Sequence, residues 1–208
     1  MRIVCKTWKD IKKVDRHNTT IDELFGAVVM EIEIRNVTEC NLDDIPGICK
    51  ECLYWSFPEE FEKTKGAHPK HRAKKKQWII QTLEEFGNCS KILCHNHVPV
   101  GYVEYGPSNR FAQIKEHKSQ PIGKVEDGAV YLSCLLIADK NLRGRGLGEK
   151  LLNSVITDLR KRGFKTVETY ARRGSSNNPS GPAEFYLKRG FKIKDESNPE
   201  FPIVKLDL

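Results

Sequence analysis

Arginine and glycine alternate where an apolar segment gives way to an amphipathic one. Leu135-Leu136-Ile137-Ala138-Asp139-Lys140-Asn141-Leu142 leads into Arg143-Gly144-Arg145-Gly146-Leu147-Gly148, and Glu149-Lys150-Leu151-Leu152 continues at helical spacing. A strand, a glycine turn and a helix start in that order gather backbone N–H groups without intrahelical acceptors at the positive end of a helix dipole. The arginines add cationic hydrogen-bond donors, so the chemistry suited to this stretch is the binding of a pyrophosphate. A Walker A loop is excluded, because Glu149, Lys150 and Leu151 follow Gly148 where Lys and then Ser or Thr are required. A dinucleotide fingerprint needs a glycine at position 149 and a tighter turn after the strand; only Glu168, about 20 residues downstream where a ribose-binding acid would sit, speaks for it. The plain alternative is a glycine turn that only starts a helix, but it gives Arg143 and Arg145 no role.

The spacing Arg143-x-x-Gly146-x-Gly148 resembles the acyl-coenzyme A signature of the GNAT superfamily of N-acetyltransferases, Arg or Gln, x, x, Gly, x, Gly or Ala. Phe185-Tyr186-Leu187-Lys188-Arg189-Gly190-Phe191 resembles the closing helix of the same family, Phe-Tyr-x-x-x-Gly-Phe. The resemblance implies an acyltransferase that moves an acetyl group from acetyl-CoA to a primary amine by direct transfer in a ternary complex. It implies that the amides of Leu136, Ile137 and Ala138 bond the pantetheine arm and the thioester oxygen, and that Arg143, Gly144, Arg145, Gly146, Leu147 and Gly148 hold the pyrophosphate. It makes Tyr186 the donor of a proton to the leaving thiolate, a task suited to a phenol with pKa near ~10. Asn178 is carried over as a coenzyme contact one position away from the family's usual place, which Pro179 occupies here. The alternative from another class is a non-catalytic coenzyme A-binding or nucleic-acid-binding protein that retains the fold.

An ammonium acceptor must also lose a proton. Tyr131 and Ser133 are the strong polar side chains of Val130 to Ala138, where no carboxylate occurs. The resemblance implies a Glu on a central strand as general base, and Glu104, within Val103-Glu104-Tyr105 on the preceding strand, is the candidate, with a solvated strand face as the competing account. Trp55, Phe57, Glu59, Glu60 and Phe61 form an aromatic and acidic stretch suited to a cationic amine, and Trp55 and Phe57 are its candidate substrate contacts. The resemblance implies an amine acceptor, small molecule or peptide, and the residues leave a drug, a polyamine, an amino acid and a protein terminus open. Cys49-x-x-Cys52 and the ligand types in Cys94-His95-Asn96-His97 invite a metal or redox site, but the first pair falls on an apolar helix face and has no second Cys-x-x-Cys partner, so no metal is expected. Cys134 reads as core.

The elements that must position these residues follow from periodicity. Glu31 to Val37 alternates as a half-buried strand. Apolar residues at 45, 48, 49, 52 and 53 trace one helix face, with Asp43 or Asp44 as cap and Pro46 in the first turn. Residues 55–66 read as irregular, and a helix runs from about Arg72 to Phe86 with Lys70-His71-Arg72-Ala73-Lys74-Lys75-Lys76 as its solvated start. Strands at 91–95 and 100–105 form a hairpin, and 106–128 is a polar connection long enough to be a lid or mobile. A doubly buried strand at 130–138, the cradle helix ending at Gly163, a strand at 166–171, a short helix at 182–189 and a final hairpin complete the order. This predicts an α/β (α+β) protein of the GNAT fold: a mixed central sheet of about seven strands flanked by helices, with splayed strands binding the coenzyme.

The chain has 208 residues, 38% of them hydrophobic, enough for one substantial core and without the ~18 apolar residues of a membrane span. Residues 30–208 are expected to form the catalytic domain. Residues 1–29 form an N-terminal extension in which Thr20 and Glu23 make a capping box, and Met30 at the edge of the first strand could be a start site. The extension's alternative role is to complete the core or a dimer interface, which leaves a homodimer open. The N-terminus lacks a signal-peptide pattern, and seven scattered cysteines suggest reduced thiols, so a cytoplasmic location is the default. A net charge of +7 raises nucleic acid as a partner, but no binding motif and no aromatic interleaving accompany the basic run.

Overall fold

The structure, a computed structural model, describes residues 31–115, 124–175 and 178–208. The expected N-terminal helix and extension lie outside them. Seven strands form one sheet in the order β1-β2-β3-β4-β5-β7-β6, with β1 Ile32–Asn36, β2 Ser90–His95, β3 Val98–Pro107, β4 Val130–Ile137, β5 Thr166–Tyr170, β6 Lys192–Asp195 and β7 Ile203–Asp207. Every neighbouring pair is antiparallel except β4 and β5. The expected mixed α/β sheet is therefore present.

Helices cover both faces. On one, α4 (Leu147–Lys161) buries Leu147, Leu151, Leu152, Val155, Ile156 and Leu159, the stripe its periodicity predicts, and the short α5 (Ala183–Leu187) packs beside it. On the other, α1 (Gly47–Lys50) and α3 (Arg72–Phe86) pack over Ile92, Tyr102 and Tyr131. The α3 boundaries match the sequence expectation, Gly87 closing the helix at φ 84°. Asn96 and His97, both at positive φ, make the two-residue turn of the β2–β3 hairpin.

Three expectations are corrected. The first helix is one turn, not a helix through residue 53: Ile48 is 59% exposed, while Cys49, Leu53 and Trp55 are buried by a chain that turns after Lys50. A helix this short has no stability of its own, and tertiary contact decides its path. A further helix, α2 (Pro58–Lys63), occupies the stretch read as irregular. In the basic run, Lys75 is buried, because it shares the inward face of α3 with Trp78, Ile79 and Thr82. The described start of the 106–128 connection is anchored: Phe111 is buried, the Gln113 amide donates to the Trp55 carbonyl at 3.0 Å, and Arg110 donates to Thr82. Cys49, Cys52, Cys89, Cys94 and Cys134 are free thiols as expected, whereas Cys40 is disulfide-bonded.

The parallel pairing of β4 with β5 spans only Val130↔Val167 and Tyr131↔Glu168. Beyond it the strands part. The register of β3 against β4 slips between Glu104↔Cys134 and Tyr105↔Leu132, leaving Ser133 as the extra residue of a bulge. The bulge changes which residues face which way. Leu132 and Leu135, three apart, both join the α4 side, and Tyr131 and Leu136 both join the α1–α3 side. Across from the parted segment, Gly101 lets β3 and β4 close: a Cβ there would stand 2.9 Å from Ile137 Cδ1 and 3.1 Å from Leu93 Cβ. Gly101→Ala is therefore expected to destabilise the protein by roughly 1–3 kcal/mol through overpacking. Urea denaturation measures this, and an unchanged midpoint would show that Ile137 and Leu93 yield without cost.

Candidate active site

The cradle forms as its residue types dictate. After β4, Asp139 caps a 3-10 turn (Lys140–Leu142) by accepting from the Asn141 amide at 2.9 Å. Gly144 and Gly146 then take left-handed φ of 74° and 77°, accessible to glycine without strain, and Gly146 becomes the N-cap of α4 without a capping side chain. The amides of Leu147, Gly148 and Glu149 are left without intrahelical acceptors. Open space lies where a Cβ would stand on Gly144 or Gly146. These amides face a cavity of about 290 Å³ whose walls include Ile137, Arg143, Gly146, Gly148, Phe185 and Arg189.

Sequence reasoning missed Arg189, although it lies inside the closing motif. Its guanidinium stacks on Phe185 at 4.0 Å and donates to Glu149 at 2.8 Å and to the Phe185 carbonyl at 2.7 Å, while its Nε is buried without a partner. Arg143 donates Nε to the Ile137 carbonyl at 2.9 Å. Arg145 is exposed and is not part of the cavity wall. An orphaned guanidinium nitrogen, a bare helix N-terminus and space above two glycines together fit a phosphorylated ligand.

The free amides expected at Leu136, Ile137 and Ala138 reduce to one. Ala138 donates to the Val100 carbonyl at 2.7 Å, and alternation turns Leu136 toward β3 as well. Ile137 alone of the three faces the parted side. The neighbouring Leu135 amide meets the Pro179 carbonyl at 2.9 Å, so the turn at 178–181 sits in the mouth of the splay. Asn178 holds that turn, donating to Ser180 Oγ at 3.3 Å and the Gly181 carbonyl at 3.1 Å.

A second cavity, of about 210 Å³, opens on the opposite face of β4 between α1, α3 and β3. Trp55, Cys49, Cys52, Tyr102, Glu104 and Cys134 are among its walls. Cys134, expected as plain core, thus borders it, turned there by the bulge at Ser133. Burial pushes the Cys52 thiol up to about 11, so it is protonated at neutral pH. Glu104 is 2% exposed and held on three sides: Lys75 Nζ lies 2.5 Å from Oε2, the Tyr102 hydroxyl donates to Oε2 at 2.8 Å, and Ser133 Oγ donates to Oε1 at 3.2 Å. Burial disfavours the Lys75 ammonium, but the Glu104 carboxylate more than offsets this and raises its pKa. Glu104 is thus a buried carboxylate with a buried counter-ion, and the solvated strand face is excluded.

The remaining candidates divide. Trp55 faces the second cavity. Phe57 does not: it borders a separate depression with Glu59 and Glu60, because Pro58 starts α2 and turns the acids outward, and Lys74 covers the Phe57 ring at 4.1 Å while pairing with Glu60. Tyr186 is fully buried against Phe185 and Phe191, its hydroxyl donates to the Ser180 carbonyl, and burial raises its pKa. It lies directly behind the wall of the first cavity, since a Cβ on Gly181 would stand 3.6 Å from its hydroxyl. Glu168 is buried far from the cradle, accepting from Lys194 and the Glu126 amide at 2.9 Å each, which removes the argument for a dinucleotide fingerprint.

Residues 50–191 match the acetyltransferase (GNAT) family. An uncharacterized N-acetyltransferase of Methanocaldococcus jannaschii is 30% identical over 166 residues, which cover 78% of this chain and 61% of that protein. The PaiA N-acetyltransferase of Thermoplasma acidophilum, solved with coenzyme A, shares the fold at a TM-score of 0.57 and 18% identity, over 86% of this chain and 100% of that one. Ard1 of Thermoplasma volcanium does so at 0.51 and 12% identity, over 85% and 97%. With the cradle, the bulged and parted strand and the closing helix spanned by that family match, the chain belongs to the GNAT family of acetyltransferases.

Proposed function

We propose that this protein transfers an acetyl group from acetyl-CoA directly to a primary amine within a ternary complex. One observation carries the reading: the two cavities lie on opposite faces of the sheet yet share Leu136, Arg143 and Asn178, at the point where β4 has left β5. A donor held on the cradle side and an amine held on the other side meet through that gap without an intermediate on the protein. Acetyl-CoA supplies the activated acetyl group.

The cradle amides, Arg143 and Arg189 hold the pyrophosphate by charge-assisted hydrogen bonds. The Ile137 amide is the donor placed for a thioester oxygen, where negative charge develops during transfer. Glu104 accepts the ammonium proton of the acceptor. Its Oε1, which carries only the longer Ser133 bond, is the less committed oxygen. Lys75 is a positioning residue that orients Glu104 from 2.5 Å away. Tyr186 protonates the departing thiolate once the 178–181 turn releases its hydroxyl from Ser180, an opening that also relieves the burial raising its pKa.

Gly146→Asp places a carboxylate where the pyrophosphate would lie, and calorimetry is expected to show no acetyl-CoA binding. Asp at the left-handed φ of 77° costs about 1–2 kcal/mol, which the fold should survive; unchanged affinity would remove the cradle from the coenzyme site. Lys75→Met strands the Glu104 charge and is expected to cost about 3–5 kcal/mol in denaturant. The double variant Lys75→Met/Glu104→Gln should regain most of that stability and still release thiol ~10²-fold or more slowly than the parent. A double variant with parental turnover would show the pair to be structural only. Tyr186→Phe is expected to lower kcat by ~10²- to 10⁴-fold with acetyl-CoA affinity little changed. Turnover within a factor of about two would return Tyr186 to the core.

A further inference from the structure

The acceptor cavity contains one acid and its counter-ion. Lys75 and Glu104 face each other at 2.5 Å and are both almost fully buried, so the pair adds no net charge to the site. Arg143, the other charged residue on the wall, is cationic and tied to the Ile137 carbonyl. Apart from Asn178, whose amide donates to Ser180 and Gly181, the remaining wall is aromatic, aliphatic or thiol: Ile48, Trp55, Tyr102, Leu136, Pro179 and three cysteines. Among the described residues no second carboxylate reaches it. Glu59 and Glu60 border a different depression, and Glu51 is engaged by Arg72 at its Nε, 2.8 Å away.

The rim carries an independent signal. The large hydrophobic side chains left exposed among the described residues are Ile48, Val98 and Ile193, and of these only Ile48 borders a cavity. An apolar residue exposed at a site's mouth is informative where scattered ones are not. Ile48 extends the apolar wall to the surface along the path a ligand takes.

Resting on the acetyltransferase reading, we propose that the acceptor is a monoamine whose amino group adjoins an apolar side chain, and that polyamines and other polycations are excluded. The reacting amine meets Glu104, and its apolar substituent packs against Trp55, Tyr102 and Ile48. A second ammonium would be desolvated without a carboxylate to pair with it, beside the cationic Arg143. The same chemistry comes from a free amine or from the first residue of a peptide.

The test compares phenethylamine, leucine amide, a peptide beginning with Leu and spermidine, by thiol release from acetyl-CoA. Phenethylamine and leucine amide are expected to exceed spermidine at least tenfold in kcat/KM, and the peptide arm identifies the source. Ile48→Asp, at an exposed position where folding is not at stake, should shrink that ratio at least threefold by lowering the apolar acceptors and raising spermidine. Spermidine turned over as well as the apolar amines would overturn the proposal while leaving the acetyltransferase reading intact. Calorimetric titration of phenethylamine and of spermidine onto protein saturated with coenzyme A reads the same preference without turnover. If no amine releases thiol, the acetyltransferase reading fails, and equal binding of the two amines overturns the acceptor proposal separately.

Discussion

Strand β4 cannot satisfy both of its edges. It pairs with β3 along its length, but with β5 only at Val130 and Tyr131, and the bulge at Ser133 directs the rest of the strand away from β5. A strand edge inside a sheet carries backbone donors and acceptors that need partners. Here the Pro179 carbonyl takes the Leu135 amide, Arg143 takes the Ile137 carbonyl, and the Ile137 amide is left directed to the gap. Both cavities border that gap, and the chemistry proposed needs a passage from one face of the sheet to the other. The same bulge turns Cys134 and Leu136 toward the second cavity and Leu135 and Ile137 toward the cradle.

The buried Lys75–Glu104 pair is the second constraint. Removing two charges from water is costly, and their attraction offsets this only when further hydrogen bonds complete the arrangement. Tyr102 and Ser133 supply those bonds, one from β3 and one from the bulge residue itself. Helix α3 is thereby tied to the sheet beside the gap, Lys75 also lying 4.8 Å above the Trp78 ring. Such an arrangement contributes more to orientation than to stability, since a packed apolar pair of equal volume would hold the fold as well. A carboxylate held in place by three partners at the wall of the second cavity fits the role in proton transfer proposed for it.

The two sides of the site differ in how local their origin is. The cradle is built within one continuous stretch, from β4 through glycines at positive φ to the first turn of α4, and needs little from the rest of the chain beyond Phe185 and Arg189. The acceptor side draws on α1, α3, β3 and β4, which are far apart in sequence. Its geometry therefore depends on how the helices settle on the sheet.

This division decides what was legible in the residues alone. Hydrophobic period and glycine placement determined the seven strands along the chain, α3 and α4 almost to the residue, and the cradle, because each rests on local backbone preference. The family resemblance marked Tyr186, and with the absence of a carboxylate from residues 130–138 it marked Glu104. The burial of Lys75, the exposure of Ile48, the turning away of Phe57 with Glu59 and Glu60, and the commitment of the Ala138 amide to Val100 were decided only by tertiary structure. A lysine in a basic run reads as solvated until a carboxylate from another strand arrives within 2.5 Å, and a one-turn helix takes its direction from what it packs against. Above all, the bulge at Ser133 leaves no mark in composition or period. It lies in how β4 registers against β3, a relation between two segments that no local pattern contains.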